Sequence, residues 1–306
     1  MKKILSVVLV LVFCLSLVAC SDVKTEDNGK LKVVASLFPQ YDFARNIAGD
    51  KADVLLLLPY GVDSHSFDPS MKDITSISDA DLFIFTGENM EAWTAPFVEN
   101  IPKGCRILDV SESVEKISLS ESHSHHTHET ANVDPHIWTS PKNAKLIAIS
   151  IATELSNLDP DNADYYMENL TRYISELDYL DENIRSVIDN SSNNKLYFGG
   201  KFSFLYFVKD YSLTYMSLYD SCSESAEPSA KKLNDMVFEM KENGAKVIFF
   251  PELSEPKTAE VVAQTVDANP ILLHSCHNIS ADEAKAGKTY ISIMYENLEN
   301  LKEALG

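Results

Sequence analysis

The chain has 306 residues, 26 basic and 46 acidic side chains, and a formal net charge of −20. The sequence contains no basic stripe, and its excess of acidic side chains excludes a nucleic-acid-binding protein. The length is sufficient for one large or two medium domains.

The N-terminus carries the features of an export signal. Two lysines precede an apolar run at residues 4–19 that is too short to cross a bilayer. Residues 1–19 are therefore predicted to be a signal peptide. They end in Leu17-Val18-Ala19-Cys20, which resembles the lipobox of bacterial lipoproteins. This resemblance implies a lipid on Cys20 and anchoring at the extracytoplasmic face of the cell membrane. The alternative is an ordinary secretory signal with an incidental cysteine.

Strand-like and helical patterns alternate in the first half of the chain, after a polar tether at residues 20–30. Apolar runs at 32–37, 54–58, 82–87 and 106–110 predict strands. The 54–58 run is continuous, which is typical of a strand buried on both faces. Asp68 and Pro69 predict the N-cap and first turn of the helix that follows. Strands separated by helices predict a parallel sheet.

The same alternation returns in the second half. Apolar residues at three- and four-residue steps from 165 to 188 predict one long helix. Runs at 196–198, 213–218, 247–250 and 271–273 predict four more strands. We therefore predict an α/β protein with two lobes, each a small parallel sheet flanked by helices. The N-terminal lobe is placed at 31–163, the linking helix at 164–190 and the C-terminal lobe at 191–306.

The eight histidines indicate a metal-binding function. Four of them form a tract within the polar segment 111–133: His123, His125, His126 and His128. The other four lie in loops or just beyond predicted strands: His65, His136, His274 and His277. Ligands of parallel α/β sheets gather outside the carboxyl ends of the strands. Neutral imidazole suits zinc, whereas carboxylates and water suit manganese, so zinc is the expected ion and manganese the alternative.

Several motifs then resemble one family in the same order along the chain. The best are Asp63-Ser64-His65-Ser66-Phe67-Asp68-Pro69 and Asp134-Pro135-His136-Ile137-Trp138. Further matches lie at 87–93, 158–169, 227–229 and 289–298. Together they resemble the zinc- and manganese-binding solute receptors of bacterial ABC importers. The resemblance implies two four-stranded α/β lobes on a rigid backbone helix, with the ion in the cleft between them. It also implies a monomer that delivers its ion to a membrane permease.

The ligands carry over from the family in the first lobe but not in the second. By motif, His65 and His136 are the ligands of the first lobe. In the second lobe, Lys201 stands where the family has a histidine, and a protonated lysine would repel a cation. We therefore predict that His274, His277 or both complete the site.

Weaker ligand candidates also lie in the second lobe. Glu252 follows the 247–250 strand and could supply an oxygen. Cys276 could supply a thiolate, or it could form a disulfide with Cys222 in an oxidising compartment. The tract at 123–128 is interpreted as a mobile collector that loads the cleft, as such loops are thought to do in this family, or as a surface loop with incidental metal affinity.

Two alternatives belong to other functional classes. A zinc hydrolase would use an open coordination position, but the chain lacks a His-Glu-x-x-His helix and a Gly-x-Ser-x-Gly elbow. An adhesin-type lipoprotein of the same fold is compatible with the sequence. We expect a binding protein and not an enzyme.

Overall fold

Two separate parallel sheets form the framework of the protein. The computed structural model describes residues 29–98, 100–101, 104–119, 133–219 and 227–306. Within these residues, eight strands form two four-stranded sheets in which all pairs are parallel. The predicted α/β fold with two sheets is confirmed.

The first sheet has the spatial order β2-β1-β3-β4. Its strands are β1 (Leu31–Ala35), β2 (Ala52–Leu56), β3 (Leu82–Phe85) and β4 (Arg106–Asp109). The helices of this lobe are α1 (Phe38–Ala48), α2 (Met71–Ser78), α3 (Ala95–Val98) and α4 (Pro141–Leu158).

The second sheet repeats this arrangement, with the order β6-β5-β7-β8. Its strands are β5 (Lys195–Phe198), β6 (Thr214–Ser217), β7 (Val247–Phe250) and β8 (Asn269–Leu272). The helices of this lobe are α6 (Leu205–Asp210), α7 (Ala230–Glu242), α8 (Lys257–Val266), α9 (Ala281–Lys285) and α10 (Tyr290–Leu305). The remaining helix, α5 (Ala163–Asp189), lies between the two lobes in sequence.

The prediction for β2 was wrong in one respect. The strand lies at the edge of the sheet and is not buried on both faces, since Leu55 is 48% exposed. The fully buried part of the apolar run, Leu57 and Leu58, lies beyond the strand end. An unbroken apolar run predicts a strand but does not show whether it has one neighbour or two.

The N-cap of α2 is also displaced from its predicted position. Ser70 is the cap, and its hydroxyl accepts from the backbone N–H of Asp73. The Asp73 carboxylate in turn accepts from the Ser70 backbone N–H at 2.8 Å. This reciprocal capping box satisfies two donors, which Asp68 alone would not do.

Helix α5 is the backbone that holds both lobes. It has 27 residues and is therefore about 40 Å long. The Asn169 side chain donates to the carbonyl of Ile47 at 2.9 Å in the first lobe. Near the other end, the Tyr211 hydroxyl donates to Asp181 at 2.7 Å. One helix is thus hydrogen-bonded to both lobes.

Buried hydrogen bonds join the lobes where the carboxyl ends of the two sheets face each other. The indole N–H of Trp138 donates to the carbonyl of Ser275 at 2.8 Å. The Tyr290 hydroxyl donates to the carbonyl of Trp138 at 2.7 Å, and the Tyr290 backbone N–H donates to Asp42 at 2.9 Å. Residues 31–306 accordingly form one compact unit. No helix in the described part of the chain is both long enough and apolar enough to span a membrane.

Candidate metal centre

His65 is presented by a short 3₁₀ turn, Ser64–Ser66, in the loop between β2 and α2. The side chain of Asp63 caps this turn and accepts from the His65 backbone N–H at 2.9 Å. The cap holds the backbone of the turn and leaves the imidazole at the cleft.

His136 lies in a buried loop before α4 and is only 2% exposed. The Asp134 carboxylate accepts from the His136 backbone N–H and contacts ring Nδ1, both at 2.8 Å. Burial by itself would raise the pKa of Asp134, but His136 and its two hydrogen bonds hold that pKa below its ordinary value. Asp134 therefore stays a carboxylate and fixes the Nδ1–H tautomer. A carboxylate on the far nitrogen is the usual support of a metal-binding histidine.

His277 belongs to the turn at residues 274–278, which directly follows β8. The Ser275 hydroxyl hydrogen-bonds to Nδ1 of His277, so Nε2 is the nitrogen that can coordinate a metal. Cys276 adopts a left-handed backbone conformation with φ of 61°. A non-glycine residue in this region is strained, and its neighbours must hold it in place.

Glu252 holds the 274–278 turn. Its two carboxylate oxygens accept from the backbone N–H groups of Ser275 and His277, at 2.8 and 3.1 Å. Oε1 also accepts from the Ser275 hydroxyl at 2.6 Å. Burial by itself would raise the pKa of Glu252, but the imidazoles of His274 and His277 and these hydrogen bonds hold it below its ordinary value. Glu252 is thus a buried anion that positions the turn.

The three loops bring His65, His136 and His277 together, and we call these residues the histidine cluster. One ligand nitrogen from each lies within 4.8 Å of the other two. The His136 and His277 rings are closest, with centroids 4.6 Å apart. Zinc–imidazole bonds of about 2.0–2.1 Å in a tetrahedral site place the nitrogens about 3.4 Å apart. A small approach of the rings would therefore complete a three-nitrogen site.

His274 and Cys276 lie outside the histidine cluster. Nδ1 of His274 accepts from the Cys276 backbone N–H at 3.0 Å, and Nε2 lies 3.5 Å from Glu283. Both ring nitrogens thus face the protein, which favours an orienting role for His274 over a ligand role. Cys276 forms no disulfide with another described residue. Its side chain is fully buried, and burial raises the pKa of its thiol.

Other predicted sites fall on residues that the structure leaves undescribed. They are the lipidation residue Cys20, the disulfide candidate Cys222 and the tract His123, His125, His126 and His128. The pairing of Cys222 with Cys276 stays a prediction.

Lys201 lies beside the histidine cluster. A cavity of about 170 Å³ is lined by Lys201, His65, His277, Glu252 and their neighbours from both lobes. Lys201 follows Gly200, where an added Cβ would approach Pro251 Cδ to 2.5 Å. The two loops therefore pack closely here. Lys201 lies in the cleft at the position where the resemblance predicts a histidine.

The polar residues that support the cluster were not among the predicted site residues. Asp63, Asp134 and Ser275 each stand two positions before a cluster histidine and hydrogen-bond to it. A signal was present in the sequence, since an Asp or Ser stands two residues before each of the three cluster histidines. Such side chains commonly bond the backbone two residues on.

Removing the Asp134 charge should weaken metal binding. We expect Asp134→Asn to lower zinc affinity about 10- to 100-fold, the usual cost of losing such a supporting carboxylate. The measurement is titration against a competing zinc chelator. Asp63→Asn is the matched control, because the Asp63 carboxylate accepts from the backbone N–H of its histidine. Equal affinities of Asp134→Asn and the parent would contradict the assigned role of Asp134.

The fold and the histidine cluster together define a two-lobed metal-binding protein of the solute-receptor type. The family model described as ZnuA, zinc-uptake complex component A, periplasmic, matches residues 33–304. The chain belongs to this family. It is 33% identical to the high-affinity zinc uptake system protein ZnuA of Bacillus subtilis (strain 168), over 97% of this chain and 96% of that protein.

Solved structures agree with this membership. The Zn(II)-bound ZnuA-like domain of Streptococcus pneumoniae AdcA is 28% identical, with a TM-score of 0.77 over 90% of this chain and 99% of the domain. The laminin-binding protein Lmb of Streptococcus agalactiae is 27% identical, with a TM-score of 0.79 over 90% of this chain and all of that chain. Membership of a solute-binding family rules out the zinc hydrolase alternative.

Proposed function

We propose that this protein captures zinc outside the cytoplasm and delivers it to the membrane permease of an ABC importer. The observation that carries the proposal is the histidine cluster, in which three imidazole nitrogens from both lobes meet at one cleft. Three nitrogen donors favour zinc over manganese, which prefers oxygen ligands. The relatives named for zinc uptake and the zinc-bound domain support the same ion.

The test of this proposal is metal selection by the purified protein without its lipid. We expect equilibrium dialysis against equal zinc and manganese to leave about one zinc ion per chain, measured by elemental analysis. The triple variant His65→Ala, His136→Ala, His277→Ala is the control and should retain no zinc above background. A manganese-loaded parent would contradict the choice of ion.

We propose further that Cys20 carries the lipid anchor, supported by the lipobox-like sequence that ends there. The change Cys20→Ser should move the protein from the membrane fraction into the medium, because a short signal alone does not retain it. Immunoblotting of the fractions measures this, with Cys105→Ser as the matched control. Retention of Cys20→Ser in the membrane at the parental level would argue against lipidation.

An adhesin role is the second candidate function. It is supported by the fold similarity to Lmb, a structure described as a bifunctional protein with adhesin and metal transporting activity. The two roles are compatible, because the metal site lies in the cleft and adhesion would use the outer surface.

A further inference from the structure

The histidine cluster leaves the charge of a bound ion uncompensated. Histidine coordinates metals as the neutral imidazole, so a zinc ion on three histidines keeps both positive charges. Among the described residues, the cluster includes no carboxylate. The acids around the cluster are already engaged, since Glu252 binds the 274–278 turn, Asp134 binds His136 and Asp63 caps the turn that carries His65.

A cavity lies beside the cluster, where a fourth ligand would enter. Its volume of about 170 Å³ corresponds to several waters at about 30 Å³ each. An anion with four or five non-hydrogen atoms therefore fits. The cavity is lined by His65 and His277, which would carry the ion, and by residues of both lobes that can donate hydrogen bonds.

Two of the lining residues are suited to hold an anion. The Lys201 ammonium is 4.0 Å from the Asp63 carboxylate, beyond hydrogen-bond distance, so its three donors are not consumed by that pair. The hydroxyl oxygen of Ser64 is buried and has no hydrogen-bond partner among the residues that the structure describes. A buried hydroxyl without a partner is costly, and an anion bound in this cavity would accept a hydrogen bond from it.

We propose that this site binds zinc together with a small carboxylate anion, which takes the fourth position on the ion and is held by Lys201 and Ser64. The inference rests on the proposed function and explains why a lysine is tolerated beside a cation site. The lysine that would repel a bare ion binds the carboxylate of the anion directly. The anion also brings the negative charge that an acidic ligand would supply.

The experiment compares zinc affinity in sodium acetate and in sodium perchlorate at the same ionic strength, by competition with a chelator. For the parent we expect about tenfold tighter zinc binding in acetate, the scale of one charge-assisted hydrogen bond. Lys201→Met should lose most of this gain and bind at least as tightly as the parent in perchlorate. Lys201→Arg should keep the gain, and Ser64→Ala should lose part of it.

Lys231→Met is the matched control, because it removes the same charge from an exposed position on α7. It should respond to acetate as the parent does. Cobalt(II) in place of zinc gives a second measurement, since its visible bands should change with acetate in the parent and not in Lys201→Met. Equal zinc affinity of the parent in both salts, or equal gains in the parent and Lys201→Met, would overturn the anion site alone. A parent that binds no zinc in either salt would overturn the proposed function, and the anion site with it.

Discussion

Replacing any one residue of the histidine cluster with alanine should lower zinc affinity by well over about 100-fold. Each substitution would remove a bond to the ion. Mutation of a residue that only supports a ligand already lowers metal affinity about 10- to 100-fold, so loss of a ligand should lower it further. Within the described part of the chain the cluster offers three nitrogens to an ion, so the remaining two would not compensate. Competition titrations of His65→Ala, His136→Ala and His277→Ala measure the loss.

His274→Ala is the informative comparison in this series. Its ring faces Cys276 and Glu283, so we expect a smaller loss that reflects a loosened turn. If the double change of His274 and His277 left zinc affinity unchanged, the second-lobe assignment would be wrong. Glu252 or Cys276 would then be the better ligand candidate.

Replacing Glu252 should reduce the stability of the zinc-free protein as well as its affinity for zinc. Its side chain is 6% exposed and accepts hydrogen bonds from three donors of the 274–278 turn. Removing one partner from a buried charged network typically costs about 3–5 kcal/mol. We expect Glu252→Gln to lower the free energy of unfolding by about 3 kcal/mol, measured by urea denaturation without metal.

The pH dependence of stability gives a second measure of the same carboxylate. The pKa of Glu252 is lowered in the folded protein, whereas it is about 4.3 in an unfolded chain. Its contribution is therefore present above pH about 4.3 and is lost as the pH falls below that value. In Glu252→Gln the free energy of unfolding should therefore fall less steeply as the pH is lowered below about 4.3. The control is Glu255→Gln, an exposed change three residues away, which should leave both the stability and its pH profile unchanged. An equal effect of the two substitutions would refute the role of Glu252.

Most of the fold was predictable because hydrophobic period and strand length are local properties. The apolar steps between residues 165 and 188 predicted α5, which the structure places at Ala163–Asp189. The edge position of β2 was not predictable in this way, since the number of neighbouring strands depends on the whole sheet. The N-cap of α2 at Ser70 was predictable from the sequence, because Ser70 and Asp73 have the spacing of a capping box.

The candidate site was predictable in type but not in its detailed ligand set. His65 and His136 stand in recognisable motifs, and they remain predicted ligands supported by the cluster. His274 and His277 could not be separated, since they lie three residues apart in one turn. The left-handed backbone at Cys276 decides which ring reaches the cleft, and an irregular turn of this kind has no periodic signal.

The unequal division of the histidine cluster between the lobes has a consequence for how an ion bound there would leave. Two are held by the first lobe, and only His277 comes from the second. A shift of the 274–278 turn by a few ångströms would leave the ion on two nitrogens, where water and competing ligands exchange much faster. Unloading by this route would not require the lobes to part. A partner that presses only on the turn after β8 would convert a tight site into a labile one.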